Sequence, residues 1–265
     1  MKYLKSILVH IAIIASMCSV YAQDMDEENL SLTSSNNIGG SIQLKTMHLW
    51  RGIEVSDEVS VTSDIYLKTK NDAFRFGIWN GMGINGNFKE FNYYGSFKRS
   101  GFEVSLWDIY NFSPGATYNN EEAFNYKARE TGHFFDLRLS YHFQKNFPLR
   151  LFWATILYGR DRDILNERNR YSSYFEIEYP VYFHDGYTLD AGIGGAFALV
   201  KGNDINGEKT KAHFYGEKPN VVNIHLRLSK IFKLGNYSLP VILMPMWNPE
   251  KNYMNMEVSL QLLSF

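Results

Sequence analysis

Cysteine is almost missing from this 265-residue chain: the single one, Cys18, lies close to the amino terminus. Beyond it there is no thiol, which excludes a disulfide framework, a thiolate metal site and a cysteine nucleophile from the rest of the chain. Long apolar runs are equally scarce. After residue 22 no window approaches the roughly 20 apolar residues of a membrane helix, so any entry into a bilayer requires closed β-structure. A strong charge of one sign is lacking too, with 27 basic against 28 acidic residues, and this leaves no electrostatic footprint for nucleic acid. Beyond residue 22 the histidines stand at positions 48, 133, 142, 184, 213 and 225, with no His-x-x-x-His pair among them, so no metal site and no cofactor is expected.

The first 22 residues carry two early lysines (Lys2, Lys5), an apolar stretch from Ile7 to Ala15 and the small residues of Val20-Tyr21-Ala22. That is the pattern of a signal peptide cleaved before Gln23. Met17, ahead of Cys18, does not match the small residue that lipoprotein processing wants. Cleavage would remove two lysines and leave a net charge of 25 − 28 = −3. Residues 23–37, polar and acidic, read as a flexible periplasmic leader, and residues 38–265 as one domain.

Aromatic residues are abundant, at 16% of the chain (18 Tyr, 19 Phe, 5 Trp), beside an ordinary 45% of hydrophobic residues and a mean hydropathy of −0.28. A transmembrane barrel needs this pairing, because its lipid face is apolar, its lumen polar and its rims aromatic. Period-two alternation is clearest where Phe135, Leu137, Leu139, Tyr141 and Phe143 interleave with Asp136, Arg138, Ser140 and His142. It recurs at Phe175 to Val181 and Val222 to Ser229, and such alternation means strands with one apolar and one polar face. Weaker segments are Ser41 to Trp50, Val59 to Lys68, Phe74 to Gly83, Phe91 to Lys98, Phe102 to Phe112, Leu149 to Tyr158, Thr188 to Val200, Leu239 to Trp247 and Met254 to Phe265. About twelve segments of roughly ten residues suit tilted membrane-crossing strands. The fold class expected is therefore all-β, a transmembrane antiparallel up-and-down barrel of about 12 strands.

Connections give a separate test. Short links at Asn71-Asp72, Arg99 to Gly101, Gln144 to Pro148, His184 to Gly186 and Gly235-Asn236 alternate with Arg51 to Glu58, Asn85 to Glu90, Ser113 to Glu130, Arg160 to Arg170, Lys201 to Asn220 and Asn248 to Asn252. Outer-membrane barrels alternate periplasmic turns with longer extracellular loops in this way, which puts both termini in the periplasm. A soluble β-sandwich is the alternative that alternation alone leaves open. Phe265 offers a carboxy-terminal aromatic to the barrel-assembly machinery. The apolar parity is even at Met254, Met256, Val258 and Leu260 but odd at Leu263 and Phe265, so the last strand is expected to change face or bulge near Leu262.

Three short motifs carry a family resemblance. His48-Leu49-Trp50-Arg51-Gly52-Ile53, then Phe76-Gly77-Ile78-Trp79-Asn80, then Trp107-Asp108-Ile109-Tyr110-Asn111-Phe112-Ser113-Pro114-Gly115 together resemble the TorF-type porins of Gram-negative bacteria. The resemblance covers roughly the first half of the chain after the leader. It implies an outer-membrane barrel and carries over no catalytic residue. Apart from it, Arg51-Gly52 reads as the close of the first strand where a loop begins, and Gly77, Gly81 and Gly83 as positions that admit a neighbouring side chain.

With apolar faces toward lipid, the candidate lumen residues are Asp64, Arg75, Asp136, Arg138, His142, Glu176, Glu178, Asp190, His225, Arg227 and Glu257, joined by Lys68 and Lys98. Such charges satisfy one another structurally or, facing a pore, filter solutes. Catalysis is not expected. Ser140 and His142 share a strand face, but no Gly-x-Ser-x-Gly elbow accompanies them. Asp204, Asn206, Gly207 and Glu208 have a calcium-loop look without the EF-hand spacing, and read as a turn. The function expected is a passive pore for small polar solutes in the outer membrane. The competing expectation is a closed barrel with a structural or surface-binding role through loops Ser113 to Glu130 and Lys201 to Asn220.

Overall fold

The computed structural model describes residues 37–143 and 147–265; the signal-peptide and cleavage-site readings, nearly all of the leader, and most of the Gln144 to Pro148 link lie outside them. Among the described residues sixteen strands follow one another. They are β1 (Ile38–Lys45), β2 (His48–Trp50), β3 (Ile53–Ser56), β4 (Ser60–Lys68), β5 (Phe74–Gly83), β6 (Lys89–Arg99), β7 (Phe102–Asn111) and β8 (His133–His142). Then come β9 (Arg150–Gly159), β10 (Ser172–His184), β11 (Tyr187–Ala198), β12 (Gly202–Asn203), β13 (Lys209–Thr210), β14 (Asn220–Leu234), β15 (Tyr237–Asn248) and β16 (Tyr253–Ser264).

Twelve of these close into one antiparallel barrel, in the order β1-β16-β15-β14-β11-β10-β9-β8-β7-β6-β5-β4. Each barrel strand pairs with the next barrel strand along the chain, β2-β3 and β12-β13 being excursions between neighbours, except at the seam, where β1 pairs with β16 from Ser41↔Ser264 to Lys45↔Ser259. The register skips Leu262 there, since Ile42 faces Leu263 and Gln43 faces Gln261. That bulge reconciles the two apolar parities of the last strand.

The tight turns follow from local backbone chemistry. Ser100-Gly101 and Asp185-Gly186 hold positive φ at both positions, 51° and 80°, and 50° and 73°, the geometry that matches the twist of a two-residue hairpin. Outward residues such as Ile65, Phe76, Leu106, Ile177 and Leu226 remain exposed, while inward ones such as Thr62, Asn92, Asp136 and Glu257 are buried. Among the described residues no helix is long and apolar enough to cross a membrane; the apolar belt lies on the strands.

One boundary differs from the expectation in a way that matters. The first strand stops at Lys45 rather than running to Trp50, with the Thr46 N–H donating to Val258 O at 3.0 Å. Residues 48–56 then form a separate hairpin, β2-β3, and the expected extracellular loop Arg51 to Glu58 is instead mostly this inward hairpin and its return to β4. The cause is apolar burial: Trp50 and Ile53 pack against Tyr174, Tyr215, Ala196 and Val222 inside the barrel. Gly52 permits the approach. Its φ is +80°, and a Cβ there would lie 2.0 Å from the Val222 carbonyl oxygen.

Candidate functional site

Two features occupy the lumen at the long-loop end: the inward hairpin and a chamber beside it. The hairpin tip is fixed by charge. Arg51 donates through Nη1 to Asp136 Oδ1 at 3.1 Å and through Nη2 to Oδ2 at 2.7 Å, a two-pronged pair of the strong kind. Nη1 also donates to Tyr215 Oη at 2.9 Å, and Arg138 Nε donates to the same Asp136 Oδ2 at 2.7 Å. Asp136 thus serves two guanidiniums while its side chain is 0% exposed.

Aromatic packing surrounds this network. Trp50 lies 5.5 Å from Tyr215, 5.9 Å from Phe214 and 6.0 Å from Phe134 between ring centroids, and the Arg51 guanidinium sits 4.6 Å over the Trp50 ring. Trp50 and Phe214 touch both buried apolar clusters, one around Tyr174 and Tyr215, the other around Ile109, Phe134 and Ile156. Side chains from β8, β9, β10 and β14 therefore meet the hairpin across the interior. The hairpin thus occupies part of the interior at this level.

Elsewhere on the inner wall the expected lumen charges resolve into groups. Glu178 receives His225 Nε2 at 3.0 Å and has Arg150 at 3.4 Å and Arg227 at 3.5 Å. Glu176 accepts from Asn223 Nδ2 at 3.0 Å and from the Tyr174 hydroxyl, and Asp190 stands opposite Arg227 in the β11–β14 register. Glu257 pairs with Lys45 at 3.1 Å and accepts from the Leu49 N–H at 3.0 Å, so it anchors the hairpin base. Asp64 accepts from Tyr94 Oη at 2.9 Å. Arg75 turns to Asp72 near the short-turn end, its Nε donating at 2.8 Å, and His142 lies exposed at that same end. Asp136 and Arg138 belong to the hairpin network above.

Sequence reasoning left out Arg51, Lys45, Arg150, Glu90 and Arg160 as interior groups. It also missed that β10 and β14 meet across β11. Gly192 and Gly194 explain that meeting: they face Glu178 and Glu176 on one side and His225 and Asn223 on the other. A Cβ on Gly192 would lie 2.1 Å from the His225 ring. The Gly-x-Gly on the inward parity of β11 was the available signal, since small residues mark where neighbours lean over a strand.

Glu176, Glu178 and His225 place ligand atoms within 4.8 Å of one another, a spacing that could hold a metal ion. Arg150 and Arg227 already stand at Glu178, and two guanidiniums beside a cation site oppose a further positive charge. Asp204, the start of the calcium-like stretch, accepts instead from the Asn206 and Glu208 N–H groups at 2.9 and 2.8 Å, which makes that stretch a side-chain-capped turn.

The chamber beside the hairpin has a volume of about 560 Å3 and is bounded by Trp50, Trp79, Trp107, Tyr118, Arg138 and Arg160 among others. Glu90 lies in its wall, accepting from Asn92 Nδ2 at 2.8 Å and Asn111 Nδ2 at 3.3 Å. His48 borders it too, between Trp79 and Phe88, with a buried Nδ1 that has no partner. Burial raises the Tyr118 phenol above its ordinary range, which keeps it a donor, and it donates to Asn111 Oδ1 at 3.0 Å.

No family model matches the chain, and no curated protein matches it. Among solved structures, an outer membrane channel from Pseudomonas putida is similar at 13% identity and a TM-score of 0.40, over 90% of this chain and 98% of that one. The architecture rests on the strand pairing itself: all-β, a closed antiparallel barrel of twelve strands.

Proposed function

We propose that this protein is an outer-membrane β-barrel of a Gram-negative bacterium that takes small polar solutes into its loop-end chamber and is shut below it, in this state, by the inward hairpin. The observation that carries the reading is the Arg51–Asp136 pair spanning the interior, because it fixes a chain segment across the path a solute would take. An apolar outer belt and a polar inner wall support the membrane setting. The three motifs that resemble those of TorF-type porins support the outer-membrane barrel. On this reading both termini face the periplasm, Phe265 serves recognition by the assembly machinery, and no residue is catalytic.

Single-channel conductance of the refolded protein in a planar bilayer tests it. The intact protein should stay mostly closed, whereas a variant with residues 47–57 replaced by a short Gly-Ser link should give stable steps. A folded variant without conductance would move the function to surface binding through the long loops 113–130 and 201–220. Large stable steps from the intact protein would remove the hairpin as the closure.

Topology has its own test. A cysteine replacing Phe124, 87% exposed in the β7–β8 loop, should react with an impermeant thiol reagent on intact cells. One replacing Asp185 in a tight turn should react only after the outer membrane is permeabilised. The reverse labelling would invert the orientation.

A further inference from the structure

We infer that the loop-end chamber is a binding site for a small carboxylate with a ring-sized body, its carboxylate held by Arg160 and its body by the tryptophan-lined wall. The inference rests on the reading that this chamber receives the solute, and names the solute's chemistry.

Four charged side chains line the chamber: Lys45, Arg138 and Arg160 against Glu90. Two of the cations are already paired, Lys45 with Glu257 at 3.1 Å and Arg138 with Asp136 at 2.7 Å. Arg160 is different. Among the described residues no carboxylate oxygen makes an ion pair with it, and its buried Nε has no hydrogen-bond partner. With the ion-pair partners of these groups included, Lys45, Arg51, Arg138 and Arg160 stand against Glu90, Asp136 and Glu257, so 4 − 3 leaves one positive charge.

The guanidinium is held by rings instead. Its carbon lies 3.8 Å from the Tyr118 ring centroid, 4.9 Å from Phe134 and 5.3 Å from Phe214. Stacking occupies the faces of a guanidinium and leaves its in-plane N–H fork for a planar anion, and a carboxylate matches that fork in two places. The base of the loop is rigid as well, because Arg160 N–H donates to His133 O at 3.0 Å. Gly159 before it has φ +98°, and a Cβ there would lie 2.0 Å from the same oxygen. A group fixed in advance loses little entropy on binding.

The rest of the chamber sets the body of the ligand. Trp50, Trp79 and Trp107 line it; Arg51 lies over Trp50 and Arg138 over Trp107, so these rings form a fixed aromatic wall that suits a flat ring at its edges. Its volume, about 560 Å3, falls within the range of small-molecule sites, which run from about 300 to 1,000 Å3. Glu90 acts on Arg160 only at a distance, without a direct ion pair, and a neutral ring would fill the space and leave the guanidinium fork without a planar anion.

Fluorescence titration of the refolded full chain in detergent, reading its tryptophans, tests the inference with two carboxylates and their neutral counterparts: benzoate against benzyl alcohol, and glucuronate against glucose. At least one carboxylate should quench saturably and bind at least about tenfold tighter than its neutral partner, about 1.4 kcal/mol. Benzoate as the better ligand assigns the site to aryl acids, glucuronate to sugar acids. Arg160→Gln should weaken that binding at least about tenfold while heat-modifiability on a gel stays normal. Equal binding of charged and neutral partners, no saturable binding by either acid, or an unaffected folded Arg160→Gln variant would each overturn the inference. If Arg160→Gln does not fold, the wild-type comparison of acid with neutral partner decides alone. Acid binding without conductance in the hairpin-free variant would sink the channel and keep this site; conductance without acid binding would do the opposite.

Discussion

Asp136→Ala should lower the unfolding free energy of the refolded protein by about 3–5 kcal/mol, because it strips the counter-charge from a buried pair. Arg51 is 7% exposed and Asp136 0%, and Arg138 leans on the same carboxylate. The loss is therefore larger than one broken ion pair at a surface, which is worth about 0–1 kcal/mol. Equilibrium unfolding in urea with lipid vesicles measures it. A change below about 1 kcal/mol would mean that water reaches the two guanidiniums and that the hairpin is not held by charge. Replacing the group as a whole, with Arg51→Met, Asp136→Leu and Arg138→Met together, should recover most of the loss, since a matched apolar set removes the desolvation cost along with the attraction.

Gly52→Ala is expected to open what Asp136 holds shut, while the barrel wall stays intact. The alanine methyl would lie 2.0 Å from Val222 O at a φ of +80°, and a side chain forced into such backbone geometry costs about 1–3 kcal/mol before any clash. The clash has no soft partner. The carbonyl belongs to the strand β14, and Gly52 O is itself the acceptor for Asn248 Nδ2 at 2.9 Å and Tyr253 Oη at 2.6 Å. Retreat of the tip is the cheaper response, because β1 pairs with β4 and β16 without Gly52. Trp50 emission should shift to the red as its aromatic neighbours are lost, and conductance should approach that of the hairpin-free variant. Unchanged emission and a closed lumen would show that the tip absorbs the methyl in place.

Much of the wall was legible in the sequence because alternation is a local signal. On β8 each step of one residue switches face, so the placement of Asp136 and Arg138 inward with Leu137 and Leu139 outward follows from spacing alone. The parity break near Leu262 was legible for the same reason, and the seam register shows the skipped residue. The candidate site was legible only in part. Glu176, Glu178 and His225 could each be placed on an inward face, but their meeting depends on two strands separated by β11, and sequence spacing says nothing about neighbours across a barrel. Arg160 and Glu90 sit at or next to loop boundaries, where alternation fades.

Arg51 shows where local reasoning ends. Beside a glycine after an apolar strand, it has the form of a loop base, and nothing within ten residues says that the segment turns inward. Its partners, Asp136 and Tyr215, are 85 and 164 residues away. The sequence by itself determined the number of strands in the barrel wall, the two faces of that wall and the alternation of turns and loops, since each depends on period and turn chemistry among adjacent residues. Only the tertiary structure decided that a hairpin lodges in the lumen and where a chamber remains, because burying Trp50 and pairing Arg51 require side chains that the closed barrel alone brings together.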